Sequence, residues 1–155
     1  MPRRPKWHWL LLSLLLWGGL APAHAARAVV NAELSNEEIK DRTDLRAVFT
    51  LRKRLWANGQ AIKVYVLPDD AEVHQEFVRS KLHLFPYQLR HIWNRLVFSG
   101  TGVAPIELDT EAEVLEAVGS DPSAIGYVNT NSLPATVKEV PVVIEPEIVE
   151  ESTGE

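Results

Sequence analysis

Short β-branched runs alternate with stretches of helical period along this chain, and that alternation constrains its fold more than any other feature. Residues 61–67 read Ala-Ile-Lys-Val-Tyr-Val-Leu, and branched and aromatic side chains of this kind favour a pleated, interior strand. Farther on, Leu89, Ile92, Trp93, Leu96 and Val97 recur at i, i+3, i+4, i+7 and i+8, one apolar face of a helix able to cover a sheet. That spacing places Trp93 in the core. Pro86 suits the first turn of this helix, where its missing donor costs little, and Ser99 and Gly100 mark its end. Between the two elements, Pro68, Asp69 and Asp70 end the strand and open a helix running to about residue 84, with Val73, Phe77, Val78 and Leu82 on its apolar side.

The alternation extends in both directions. Val29 and Val30 offer a short strand, and Ser35 with Glu38 has the spacing of a capping box at a helix start. Residues 45–56 form a basic amphipathic stretch of roughly helical period, followed by a turn at Asn58 and Gly59, residues that tolerate the left-handed conformation. Thr110 and Glu113 make a second capping box before Val114, Leu115 and Val118, with Gly119 as the expected stop. Residues 124–128 read as a short buried strand, and residues 140–144 as a last one that Pro141 confines to an edge or a strand start. Helices recurring between short apolar strands predict an α/β fold, a small mixed or mainly parallel sheet flanked by helices. Strand order is not readable from this pattern.

The ends of the chain bear on where it works. Arg3, Arg4 and Lys6 precede an apolar run from Trp9 to Leu20, and Ala23-His24-Ala25 supplies a small-x-small site. This is the form of a signal peptide over residues 1–25, cleaved after Ala25. The run is shorter than the roughly 20 residues a helix needs to cross a bilayer, so no stable membrane span is expected after processing, and the protein is expected in the periplasm or secreted. Removing the leader leaves thirteen basic side chains against twenty-one acidic ones, a balance opposed to nucleic-acid binding. With no cysteine in the chain, an exported fold must rest on its packed core. That core is assigned to one domain over residues 26–144, and residues 145–155 to an acidic, flexible tail.

Three ordered patterns carry a family resemblance. Phe49-Thr50-Leu51-Arg52-Lys53-Arg54-Leu55-Trp56-Ala57-Asn58-Gly59 combines a phenylalanine, a basic cluster, a tryptophan and an Asn-Gly turn. Phe77 is followed by Leu89-Arg90-His91-Ile92-Trp93-Asn94-Arg95-Leu96-Val97-Phe98-Ser99-Gly100, a helix ending in a Phe-x-Gly turn, and then by the strand Ala124-Ile125-Gly126-Tyr127-Val128. Together they resemble the compact phosphate-transporter-type periplasmic solute-binding domains. The resemblance covers residues 29–128 and implies one lobe of a type 2 periplasmic binding-protein-like fold. It also implies an anion site at the helix start after residues 61–67, where relatives commonly supply hydroxyls and amides. Here that place is Pro68-Asp69-Asp70-Ala71-Glu72, with backbone amides, no hydroxyl and three carboxylates.

The expected ligand contacts are therefore the turn and first amides at Asp70, Ala71, Glu72 and Val73, with Arg52 or Arg54 offsetting the acids. Helix-start amides attract an anion, whereas the carboxylates repel it and have a competing role as helix caps. Arg46, Arg52, Lys53 and Arg54 form the densest basic patch outside the leader, open to an acidic partner, an anion or plain solvation. Trp56, beside the turn, has two open fates, covering the core or contacting another protein. His74, His83 and His91 lack metal-site spacing; Asp70 and His74, four apart, are expected as a solvated pair. No nucleophile elbow, phosphate cradle or HExxH pattern is present, so neither catalytic residues, metal nor cofactor are assigned. The working function is a noncatalytic solute-binding-like accessory or interaction module. The alternatives are a phosphate or other small-oxyanion binder completed by a homodimer, a protein partner or a second lobe and, more remotely, an exported enzyme.

Overall fold

In a computed structural model, residues 25–142 are described, Glu37 excepted. The expected leader, save Ala25, and the acidic tail lie outside the described residues. Nine elements follow in order: β1 (Arg27–Asn31), α1 (Arg42–Phe49), β2 (Lys63–Val66), α2 (Glu72–Leu82), α3 (Pro86–Phe98), β3 (Ile106–Glu107), α4 (Glu111–Ser120), β4 (Ala124–Val128) and β5 (Val137–Glu139). The strands form one sheet in the order β3-β2-β4-β1-β5. β2 runs parallel to both β3 and β4, whereas β1 is antiparallel to β4 and β5. The sheet is mixed, with helices on both faces.

Strand β4 is buried at every residue, so its alternating side chains divide between two apolar layers. Tyr127 faces the layer of α1 and α2, stacking on Phe77 at 4.2 Å and lying 5.9 Å from Phe49. Gly126 faces α4: a Cβ there would stand 2.6 Å from Val114 Cγ1 and 3.4 Å from Val118 Cγ2. The Ile-Gly-Tyr sequence thus fits a large ring on one side and a close helix on the other. Gly126→Ala is expected to cost about 1–3 kcal/mol through overpacking, read as a lower urea midpoint; an unchanged midpoint would mean that α4 does not press on β4.

Local chemistry accounts for most boundaries. Thr110 caps α4 by accepting from Glu113 N–H at 3.2 Å, while the Glu113 carboxylate accepts from Thr110 N–H at 2.9 Å. Pro86 opens α3, with Gln88 Oε1 accepting from Phe85 N–H at 2.9 Å. The Asn-Gly turn has Gly59 at φ 84° and is closed by a bridge between Leu55 and Ala61. Trp56 covers the core, its indole N–H donating to Ser123 O at 3.0 Å.

Four expectations are corrected. Ser35 and Glu38 do not start a helix, because the Glu38 carboxylate is drawn to Ala57 N–H at 2.7 Å and Lys53 Nζ at 3.2 Å; the cap belongs to Asp41, which accepts from Asp44 N–H at 2.8 Å. The amphipathic stretch 45–56 is helical only to Phe49, since Leu51 takes a left-handed φ of 60° and turns the chain so that Trp56 can reach the core. Gly119 does not stop α4, which continues to Ser120; it is small because a Cβ would lie 2.5 Å from Thr136 Oγ1. The last strand precedes Pro141 and occupies residues 137–139 at the sheet edge, where the missing N–H of Pro141 interrupts no ladder; residues 143–144 of the expected strand lie outside the described residues.

Candidate functional site

The carboxyl ends of the parallel strands β2, β3 and β4 share one edge of the sheet. The chain leaves β2 for β3 on one side through α2 and α3, and returns to β4 on the other through α4. Ligands of open α/β sheets settle beyond the strand ends at such a divergence.

From β2 the chain passes through Pro68, Asp69 and Asp70 to Ala71, the N-cap of α2, which has no side-chain cap. Ala71 N–H donates to Pro68 O at 2.9 Å, and Gln75 N–H to Ala71 O at 3.0 Å. The N–H groups of Glu72, Val73 and His74 have no acceptor among the described residues. Those of Glu72 and Val73, residues that are not buried, are donors of the kind that make a helix start attractive to anions.

The carboxylates expected to cap this helix do not. Asp69 reaches across to α3, where Oδ2 accepts from Arg90 Nε at 2.8 Å and Oδ1 from Arg90 Nη2 at 2.7 Å. Glu107, at the end of β3, accepts from the same Nη2 at 2.9 Å. A two-pronged, charge-assisted pair outcompetes a single cap bond. Its hydrogen bonds hold the Asp69 carboxyl below its ordinary pKa, and Asp69, then Glu107, raise that of Arg90. Asp70 is exposed and its side chain makes no hydrogen bond among the described residues. At the end of β4, the Glu111 carboxylate accepts from Asn129 N–H at 2.5 Å and Thr130 N–H at 3.2 Å, so those amides already hold a carboxylate of the chain itself.

His74 is fully buried, which overturns the expected solvated pair with Asp70. Leu67 N–H donates to the Tyr127 hydroxyl at 2.8 Å, and that hydroxyl lies 2.6 Å from His74 Nδ1. With the amide a fixed donor, the Tyr127 proton goes to Nδ1, leaving the His74 proton on Nε2. There the nearest charge is Asp69 Oδ1 at 3.5 Å, too long for a good hydrogen bond. Burial lowers the His74 pKa, opposed by Asp69, and burial raises that of Tyr127.

A pH dependence follows. Above about 6.5, the ordinary value for His, neither folded nor unfolded chain holds the second proton on this ring. As pH falls from there toward the lower folded pKa, the unfolded chain takes up a proton that the folded one refuses, so stability declines. The contribution of Asp69 is intact above 3.8 and is lost only as pH drops below that through its depressed folded value. Urea midpoints measured from pH 7.5 to 4.5 are expected to fall less in His74→Gln than in the parent; parallel curves would show that another group carries the effect.

Of the expected ligand residues, Asp70, Ala71, Glu72 and Val73 are contiguous at the start of α2. Arg52 lies instead with Arg42, Arg46 and Arg95 along a groove beside α1 and α3, and Arg54 Nη1 donates to Thr101 O at 2.5 Å. No hydrogen bond or ion pair among the described residues links either arginine to residues 70–73. The cation at the turn is Arg90 of α3, paired with Asp69. Among the described residues no group of three or more His, Cys, Asp or Glu is arranged to hold a metal, and no helix is long and apolar enough to cross a membrane.

No protein-family model matches the sequence, and no curated protein matches it significantly. Solved structures share its fold. An ABC-type phosphate transport receptor from Vibrio cholerae superposes with a TM-score of 0.55 at 15% identity, over 75% of this chain and 45% of the receptor. A protein described as a phosphate ABC transporter substrate-binding protein, from Clostridium perfringens and with bound phosphate, gives 0.56 at 14%, over 76% and 44%. The chain thus has the α/β fold seen in part of these two structures. This chain spans less than half the length of those structures, the extent of about one lobe.

Proposed function

We propose that the chain is an exported, noncatalytic recognition module of the solute-binding class, and that its ligand is a small oxyanion, phosphate first among the candidates. The observation that carries this reading is the uncapped start of α2, where the N–H groups of Glu72 and Val73, residues that are not buried, have no acceptor among the described residues, just beyond the carboxyl end of β2. Asp69, the acid nearest the buried His74, is neutralised by Arg90 rather than seated on those amides. The likeness to phosphate-transport receptors supports the same ligand class. A single lobe leaves this edge open to solvent, so a second copy or a separate lobe would be needed to close it.

The carboxylates of Asp70 and Glu72 oppose a phosphate dianion here. Calorimetric titration with phosphate and with sulfate, at fixed ionic strength, is expected to give weak saturable binding. Asp70→Asn with Glu72→Gln is expected to tighten it about tenfold, equivalent to about 1.4 kcal/mol. Absence of saturable heat from both proteins would sink the oxyanion reading. The second reading, an interaction module that has lost anion recognition, rests on those same uncompensated acids and would then stand.

A further inference from the structure

A concavity with a strongly charged lining lies away from the sheet edge. It is an open groove of about 670 Å³ beside α1 and α3, lined by Arg42, Arg46, Arg52 and Arg95 together with Ile92 and Leu96. The two helices meet beside it, where the Trp93 indole N–H donates to Phe49 O at 2.7 Å. None of the four guanidinium groups has a carboxylate partner among the described residues; the one side-chain contact is Arg42 Nη1 with His83 Nδ1 at 3.3 Å. The nearby acids of α1 are committed to its start, Asp41 accepting from Asp44 N–H and Asp44 from Lys40 N–H. Four cations without a carboxylate partner among the described residues, beside two aliphatic side chains on a chain with formal charge −5, suit an acidic ligand that also carries apolar groups.

We infer that this groove binds the chain's own acidic C-terminal segment, with Glu147, Glu150 and Glu151 on the arginines and Ile148 and Val149 against Ile92 and Leu96. Charge and apolar pattern match: residues 143–155 contain five glutamates, no basic residue and the Ile148-Val149 pair between acids. Position matches as well. Val142 borders a cleft that Arg42 also lines, and Arg42 in turn lines the groove. At about 3.3–3.6 Å per extended residue, Glu145 lies within about 11 Å of Val142 and Glu151 within about 32 Å. A single exposed ion pair contributes little, but several pairs on a tethered segment gain from its high effective concentration. This site is separate from the start of α2 and does not depend on oxyanion binding there.

The absence of cysteine makes a single spin label straightforward. Full-length protein carrying Ser152→Cys, labelled with a nitroxide, is expected to broaden the amide signals of Thr43, Arg46, Ile92 and Leu96 at low salt. The broadening should be lost in 0.5 M sodium chloride, where charge interactions are screened. It should also be lost in Arg46→Glu with Arg95→Glu, and in Glu147→Gln with Glu150→Gln and Glu151→Gln, a change that leaves the described residues untouched. Broadening spread evenly over the surface, centred on the start of α2, or unchanged by both sets of substitutions would overturn the assignment. So would broadening that passes to a second, isotope-labelled copy in a mixed sample, or release by inorganic phosphate where chloride of equal ionic strength has no effect. The first would make the occupant another molecule, the second would make the groove a small-anion site.

Discussion

Trp93→Ala is expected to lower the unfolding free energy by about 3–5 kcal/mol, the range for removing a large aromatic ring from a packed core. The ring is 1% exposed, its N–H is bonded to Phe49 O at 2.7 Å, and Arg90 lies over it at 5.0 Å from the centroid. Truncation would therefore leave a cavity between α1 and α3, an unpaired carbonyl and a displaced Arg90. Trp93→Phe separates these effects, since it keeps most of the apolar surface and loses the indole hydrogen bond, with an expected loss of about 1–3 kcal/mol. Urea denaturation followed by far-ultraviolet circular dichroism measures both. A loss below about 1 kcal/mol for the alanine variant would remove Trp93 from the core.

Tyr127→Phe is expected to cost about 2–4 kcal/mol although it deletes one oxygen. The hydroxyl serves both Leu67 N–H and His74 Nδ1, each buried, and an abandoned buried polar group costs about 1–3 kcal/mol. The stacking on Phe77 survives the change. Combining Tyr127→Phe with His74→Leu should recover part of the loss, because the histidine acceptor is removed with its partner; strict additivity of the two single changes would mean that the two groups are not coupled. A loss under about 0.5 kcal/mol for Tyr127→Phe would mean that water or rearrangement satisfies both partners.

The parts of the fold legible in the sequence are those governed by interactions within a few residues. Pro86 at the start of α3, the Thr110–Glu113 box, the Asn58-Gly59 turn and the apolar spacing of Leu89 and Trp93 all stand as read. Misreadings occurred where a distant group outbid a local one. Glu38 had a capping partner three residues away but bonds to Ala57 instead, and Asp69 left a helix start beside it for a guanidinium on α3. At the candidate site, the sequence located the turn and its amides, yet paired them with Arg52 and Arg54. Those side chains lie elsewhere, and Arg90 is the cation beside the turn.

What the sequence alone determined was the alternation of helices and strands, the burial of Leu89 and Trp93 and the chemical type of the α2 start, because propensity, capping and periodicity act over one or two turns of chain. The strand order, the freedom of the Glu72 and Val73 amides, the burial of His74 against Tyr127 and the gathering of four arginines on one groove were decided only by tertiary structure. Each depends on which of several equally suitable partners is brought within hydrogen-bonding or ionic reach by elements far apart in the chain.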